Sequence, residues 1–233
     1  MTKRSRPTRS PGAATTPRAE TEQRIVDAAR TLFARQGYDG VSVDRIAAAA
    51  GLSKQNLLYY FPRKELLYRR VLDGVLDIWL SYMDAMSRRE GDPEAALREY
   101  IAGKLRFSFE HPDDSRIYAR EVIAGAPLYA DQITARVIPA LRADEAVFRR
   151  WAERGWCRPV DASHLMVMLW AATQAYADYA TQIGLILGKP RLDRTDIDRA
   201  EAQLVDIVLR AIVLRPGGRA PAGRAPRIPG TPA

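Results

Sequence analysis

The chain has 233 residues, 47% of them hydrophobic, which is enough to bury a core in one domain or in a small domain joined to a larger one. Its formal charge of +8 points to an anionic partner. The lone cysteine, Cys157, excludes an internal disulfide and any site built on paired cysteine ligands, and it favours a reducing, cytoplasmic compartment.

Residues 1–19 hold five basic side chains and no acid, and residues 215–233 hold four and no acid. Both stretches are rich in Pro, Gly, Ala, Thr and Arg and too poor in large apolar groups to offset the entropy of ordering, so both read as disordered basic tails. They act either as solubilisers or as a sequence-independent grip on nucleic acid. Pro7, Pro11 and Pro17 interrupt the first tail and no apolar run follows it, which is unlike a signal peptide.

Ile25, Ala28, Ala29, Leu32 and Phe33 repeat at helical spacing and Gly37 offers a stop, predicting a helix near 20–36. Ser42 as N-cap and Asp44 in the first turn open a short second helix that ends at Gly51. A third helix is expected near 54–60. Pro62 suits an early position of a long fourth helix running to about Ser87. Further helices are expected near 94–109, 114–124, 127–154, 161–187 and 194–214, with Pro139 kinking or splitting the third of these. No stretch alternates with period two for long enough to be a strand. The fold class expected is all-α: a three-helix unit over 20–66 and a larger helical body over 67–214.

Residues 165–188 reach a membrane-spanning length with one charge, but Gln174, Asp178 and Gln182 recur every fourth residue along one side, where hydrocarbon would leave them unsatisfied. A helix buried in a soluble assembly fits better, and no membrane partner is expected.

The stretch GLSKQNLLYYFPRKELL places Lys54, Gln55, Asn56, Tyr59 and Tyr60 around a short helix that has only Leu57, Leu58 and Phe61 as an apolar stripe. Two short helices joined by a Gly-containing turn, the second polar outside, describe a helix-turn-helix, whose second helix enters the major groove of double-stranded DNA. Gln55 and Asn56 suit bidentate reading of adenine, and Lys54 suits a guanine or a phosphate. Ser42, Ser53, Tyr59, Tyr60 and Lys64 offer hydroxyl and ammonium donors for the DNA backbone. Taken alone, the same residues also suit a helix face that merely meets water.

From Ile25 to Leu67 the chain resembles the DNA-binding domain of TetR-family regulators. The shared features are an aromatic and Gly37 closing the first helix, Ile46-Ala47 and Ala50-Gly51, Ser53-Lys54, and then Tyr59, Phe61, Lys64 and Leu66. Leu58 departs from the tyrosine common in the family. The resemblance implies a bacterial homodimer formed through the last two helices, a near-palindromic operator, and a helical body that holds a small effector. Effector binding would move the fourth helix and separate the recognition helices. LLYYFPRKELLYRRVLDGVLDIWL, REYIAGKLRFS, the segment Ala124 to Leu128 and WAATQAYADYA are similar to a subfamily that regulates pyrimidine utilisation and responds to uracil and thymine. For such a ligand Trp79 and Trp170 are stacking candidates. Gln174, four residues from Trp170 and on the same helix face, suits a C=O/N–H edge. Tyr118 and Lys104 are candidates for the remaining carbonyl. The readings as core tryptophans, or as Gln174 and Asp178 bonding across a dimer interface, stand beside these.

No nucleophile elbow, phosphate-binding Gly-rich loop or His-Glu-x-x-His motif occurs, and His111 and His164 lack partners at metal-ligand spacing. No catalytic residue, metal or cofactor is expected. Two other readings remain open: a regulator of this type with a different aromatic or nucleobase effector, and an architectural DNA binder driven by the tails.

Overall fold

The structure, a computed structural model, describes residues 16–89 and 91–214. Except for residues 16–19, the expected basic tails lie outside the described residues. Among the described residues every extended element is helical, and a single isolated bridge joins Cys157 and Val213. The chain divides into two compact units, Met1–Tyr68 and Arg69–Ala233.

The first unit contains α1 (Pro17–Gln36), α2 (Val43–Ala49), α3 (Lys54–Tyr60) and the start of α4 (Lys64–Arg88). Helix α1 begins three residues earlier than expected because Thr16 caps it, accepting from the Ala19 N–H, and Pro17 occupies the first turn, where its missing N–H costs nothing. Arg18 is therefore helical. Pro62, expected inside α4, precedes it instead. The residue before a proline is driven out of the helical region, and Phe61 is extended at φ −130° and ψ 91°. The Arg63 carbonyl then takes the first bonds of α4, from the N–H groups of Leu66 and Leu67. Ile25, Ala29, Phe33, Ile46, Leu57 and Leu67 are fully or almost fully buried and form this unit's core, with the Phe33 and Tyr68 rings edge-on at 5.0 Å.

The second unit continues α4 and adds α5 (Pro93–Glu110), α6 (Pro112–Ile123), a short turn α7 (Ala130–Gln132), a π-helical turn (Ile133–Val137), α8 (Ile138–Glu153), α9 (Ala162–Asp178), α10 (Ala180–Ile186) and α11 (Arg194–Ile212). Helix α5 packs against α9 and α11. Leu97, Tyr100, Ile101, Leu105, Phe148 and Trp151 lie at the heart of the core. The bridge at Cys157 ties the α8–α9 connection to the end of α11: the Arg158 N–H donates to Ile212 and the Leu214 N–H to Trp156, each at 2.8 Å. Burial pushes the Cys157 thiol up to about 11, so it acts as a small hydrophobe.

Two expected helices are interrupted. Over 127–154 the π-helical turn sits just before Pro139, which cannot donate to the preceding turn. Over 161–187 the break falls at Tyr179, with φ −111° and ψ 22°. There Arg116 Nε on α6 donates to the Ala177 carbonyl at 3.1 Å, competing with the helical ladder for that acceptor.

Asp144 on α8 is fully buried; its Oδ1 accepts from the Ser87 hydroxyl at 2.6 Å and its Oδ2 has no partner among the described residues. Burial, against the opposing Ser87 bond, pushes this carboxyl up to about 7 from an ordinary 3.8. Between those values the folded chain holds a proton that the unfolded chain releases, so the stability linked to Asp144 is full below about 4 and lost as pH rises toward about 7. Asp144→Asn should flatten the fall in stability across that window in urea denaturation at stepped pH. An unchanged slope would contradict the assignment.

Candidate nucleic-acid interface and ligand cavity

In the first unit, two seven-residue helices are held at a fixed angle by local chemistry. Ser42 Oγ accepts from the Arg45 N–H and Ser53 Oγ from the Asn56 N–H, capping α2 and α3. Gly51 turns the chain at φ +69°, a conformation that a side chain would strain, and the Leu52 N–H returns to the Ala47 carbonyl at 2.9 Å. Leu57 and Phe61 anchor α3 from below, while Leu58 is half-buried.

Lys54, Gln55, Asn56 and Tyr59 are left exposed. The Lys54 ammonium rests on Asp44 at 2.9 Å, with both groups open to solvent. The Gln55 and Asn56 side-chain amides have no partner among the described residues. Tyr59 is 68% exposed and meets the Tyr60 ring edge-on at 5.4 Å. Arg18, a residue that the sequence reading left in the tail, lies over both rings at 5.5 and 5.7 Å and donates to the Tyr59 hydroxyl at 3.3 Å. The Thr16-Pro17 start signal would have placed it there.

Lys64 differs from the expectation of a free ammonium. Its Nζ donates to the Tyr38 and Val41 carbonyls at 3.0 and 3.1 Å and sits 4.0 Å from the Tyr38 ring centre. It fastens the α1–α2 loop to the start of α4, and at most one of its three protons remains for another acceptor.

In the second unit, all five residues singled out for a ligand line one cavity: Trp79 on α4, Lys104 on α5, Tyr118 on α6, and Trp170 and Gln174 on α9. The cavity measures about 60 Å³ to the centres of water-sized spheres, room for about four to six waters. Tyr100, which sequence reasoning missed, is also in the wall. It sits one helical turn before Lys104 and accepts the Trp170 indole N–H at 2.7 Å. With that N–H used, Trp170 offers its ring. Trp79 is the converse: the Lys104 ammonium lies 3.7 Å from its ring centre and Tyr118 is edge-on at 4.7 Å, so the stacking surface expected of Trp79 is largely taken. Its buried indole N–H, however, has no partner among the described residues.

Lys104 is 2% exposed, and loss of solvation pulls its ammonium down to about 7 against the opposing pull of Asp178. Asp178 accepts from the Ser115 hydroxyl at 3.1 Å, a contact within one chain where a bond across a dimer had been an alternative. The Gln174 amide has no partner among the described residues. Among those residues no cluster of His, Cys, Asp or Glu suits a metal ion, and no helix is long and apolar enough to cross a membrane.

Residues 25–71 match the family model described as bacterial regulatory proteins, tetR family, and residues 72–215 match the model of the YcdC-like protein, C-terminal region, within the same family. The chain belongs to the TetR family of transcriptional regulators. The HTH-type transcriptional regulator RutR of Escherichia coli strain K12 is 43% identical over 164 residues, covering 70% of this chain and 77% of RutR. The solved structure of the ketosteroid transcriptional regulator KstR2 of Mycobacterium tuberculosis has a TM-score of 0.67 at 20% identity, covering 88% of this chain and all of that one. AibR, solved with isovaleryl coenzyme A and operator DNA, has a TM-score of 0.63 at 18% identity, covering 80% of this chain and 97% of its own. At these identities the two structures share the fold with this TetR-family chain.

If Lys64 fastens the loop as its bonds indicate, Lys64→Met should lower stability by about 1.5–3 kcal/mol, the range for a charged hydrogen bond, in denaturant unfolding. Unchanged unfolding would leave Lys64 free for the DNA role read from the sequence.

Proposed function

We propose that this TetR-family regulator is a homodimeric repressor that leaves its operator when a small planar ligand such as uracil or thymine fills the cavity between Trp79, Lys104, Tyr118, Trp170 and Gln174. The observation that carries the reading is the convergence of these five side chains, from four helices, on one space sized for a small ring. The kinship with RutR, together with the subfamily motifs read from the sequence, supports a pyrimidine. The open face of Trp170 suits the ring, and the Gln174 amide suits an edge of alternating C=O and N–H groups. The Trp79 indole N–H supplies a donor for a carbonyl.

Lys54, Gln55 and Asn56 stand on the exposed face of α3, which supports base contact in the major groove, with Ser42, Ser53, Tyr59 and Tyr60 on the DNA backbone. The exposed residues Val167, Met168 and Ala171 on α9 and Ile207 and Ala211 on α11 form apolar stripes that suit pairing of the last helices with a twin. Val208 and Ile212, on the same helix, face the other way and are buried in the chain's own core. Helix α4 runs through the boundary between the two units, so movement of Trp79 on ligand binding is the proposed route to the DNA-binding helices.

Two experiments test the halves of the reading separately. Gln55→Ala or Asn56→Ala should reduce discrimination between operator and random DNA by about 1–3 kcal/mol per lost base contact in competition binding. Undiminished discrimination would remove those residues from base readout. Gln174→Leu should abolish uracil-induced release while operator affinity stays at the wild-type level in fluorescence anisotropy. Loss of both would make Gln174 an assembly residue.

A further inference from the structure

Lys104 is the one aliphatic amine in the cavity wall, and its surroundings are poor for a fixed positive charge. It is buried against the Trp79 ring, which attracts a cation weakly compared with water. The ionisable groups near it are Asp178 on α9, Arg116 and Tyr118 on α6, Tyr100 on its own helix, and Arg136 in the π-helical turn. Helix α4 adds none to the cavity. Asp178 is shared with Ser115 and Arg116, and Arg136 is bound to Asp73 and Asp77, so no carboxylate is dedicated to the Lys104 amine.

The polar inventory of the wall leans toward donors. Trp79 contributes an N–H without a partner, Tyr118 an O–H and Lys104 its amine protons, against the Gln174 carbonyl as the main acceptor. Such a wall is completed by a ligand richer in acceptors than in donors. A carbonyl or carboxylate oxygen beside the amine favours the ammonium over the free base, because a charged donor bonds the negative oxygen more strongly than a neutral one. An exocyclic amino group would instead meet donor with donor.

We propose that Lys104 is the selecting group of this cavity: it gains a proton as the effector enters, so the site takes planar ligands that present an oxygen to it and rejects those that present an amino group. The proposal rests on the ligand reading of the previous subsection and deepens it. In the free chain the amine loses its proton near about 7. Binding above that pH therefore draws a proton from solution. Affinity should be level below about pH 7 and fall by up to about tenfold per pH unit above it, until the pH passes the higher value that the bound ligand imposes.

The chain has only five lysines, Lys3, Lys54, Lys64, Lys104 and Lys189, so carbon-13 labelling of lysine in the full chain gives a resolvable NMR titration. Lys104→Met assigns the signal; should that variant not fold, single substitutions at Lys3, Lys54, Lys64 and Lys189 assign it by elimination. The expected result is one lysine titrating near neutrality in the free protein and shifted upward by at least about one pH unit under saturating uracil, a tenfold change in proton affinity. Calorimetry at pH 8 in buffers of different ionisation enthalpy should report uptake of at least about 0.4 proton, the amount a one-unit shift from about 7 gives. A free-state midpoint above 9 overturns the proposal, as does uracil binding that leaves the midpoint unmoved. Failure of uracil and thymine to bind rejects the nucleobase reading instead. The proposal then rests on the free-state titration and on its displacement by benzoate, a planar carboxylate, and no displacement overturns it.

Discussion

A lysine amine stripped of water is the constraint around which the second unit is arranged. Burying Lys104 is costly unless its surroundings offer compensation, and the structure offers it in parts: the Trp79 face, the field of Asp178, and a neighbouring cavity. Each part has consequences of its own. Asp178 is held by Ser115, and the adjacent Arg116 takes the Ala177 carbonyl, which ends α9 one residue later and lets the chain restart as α10. Polar groups that would weaken a membrane helix thus interrupt a buried one. Beside this cluster a cavity opens between α4, α5, α6 and α9.

The first unit solves a different problem. Helices of seven residues are too short to be stable alone, so their positions depend on caps, the glycine turn and a few buried anchors. Ser42 and Ser53 satisfy the ends, Gly51 sets the turn, and Leu57 fixes which side of α3 faces inward. Every long polar side chain of α3 is then left outside. The crowding of Lys54, Gln55, Asn56 and the two tyrosines follows from a helix that needs only a narrow apolar stripe to stay in place. Arg18 adds a cation over those tyrosines, so the face is more basic than α3 alone would make it.

What was legible in the sequence follows from how local its cause was. The bounds of α3 and the Ser42 cap of α2 depend on neighbours within four residues, and they were read correctly; the Ser53 cap of α3 is equally local but was read only as a donor for DNA. The starts of α1 and α4 were misjudged by a few residues: Thr16 caps α1 ahead of Pro17, and Pro62 holds Phe61 extended and stays outside α4. The break at Tyr179 has no local signal; the side chain that competes for a carbonyl there, Arg116, lies 61 positions from Ala177. The cavity residues were chosen partly from family resemblance. Their convergence required tertiary structure, and the exchange of roles between the tryptophans, one supplying a ring and the other an N–H, could not be read from spacing. Lys64, a candidate DNA-backbone donor by its family position, has an ammonium already bound to two carbonyls of its own chain, which spacing alone could not show.

The central claim is that the cavity in residues 69–214 is an effector site for an acceptor-edged planar ring. Calorimetric titration of the full chain with uracil, thymine and adenine at neutral pH tests it most directly. The account predicts saturable binding of uracil or thymine in the micromolar range, with adenine much weaker. Equal binding of all three, or binding of adenine alone, would contradict it.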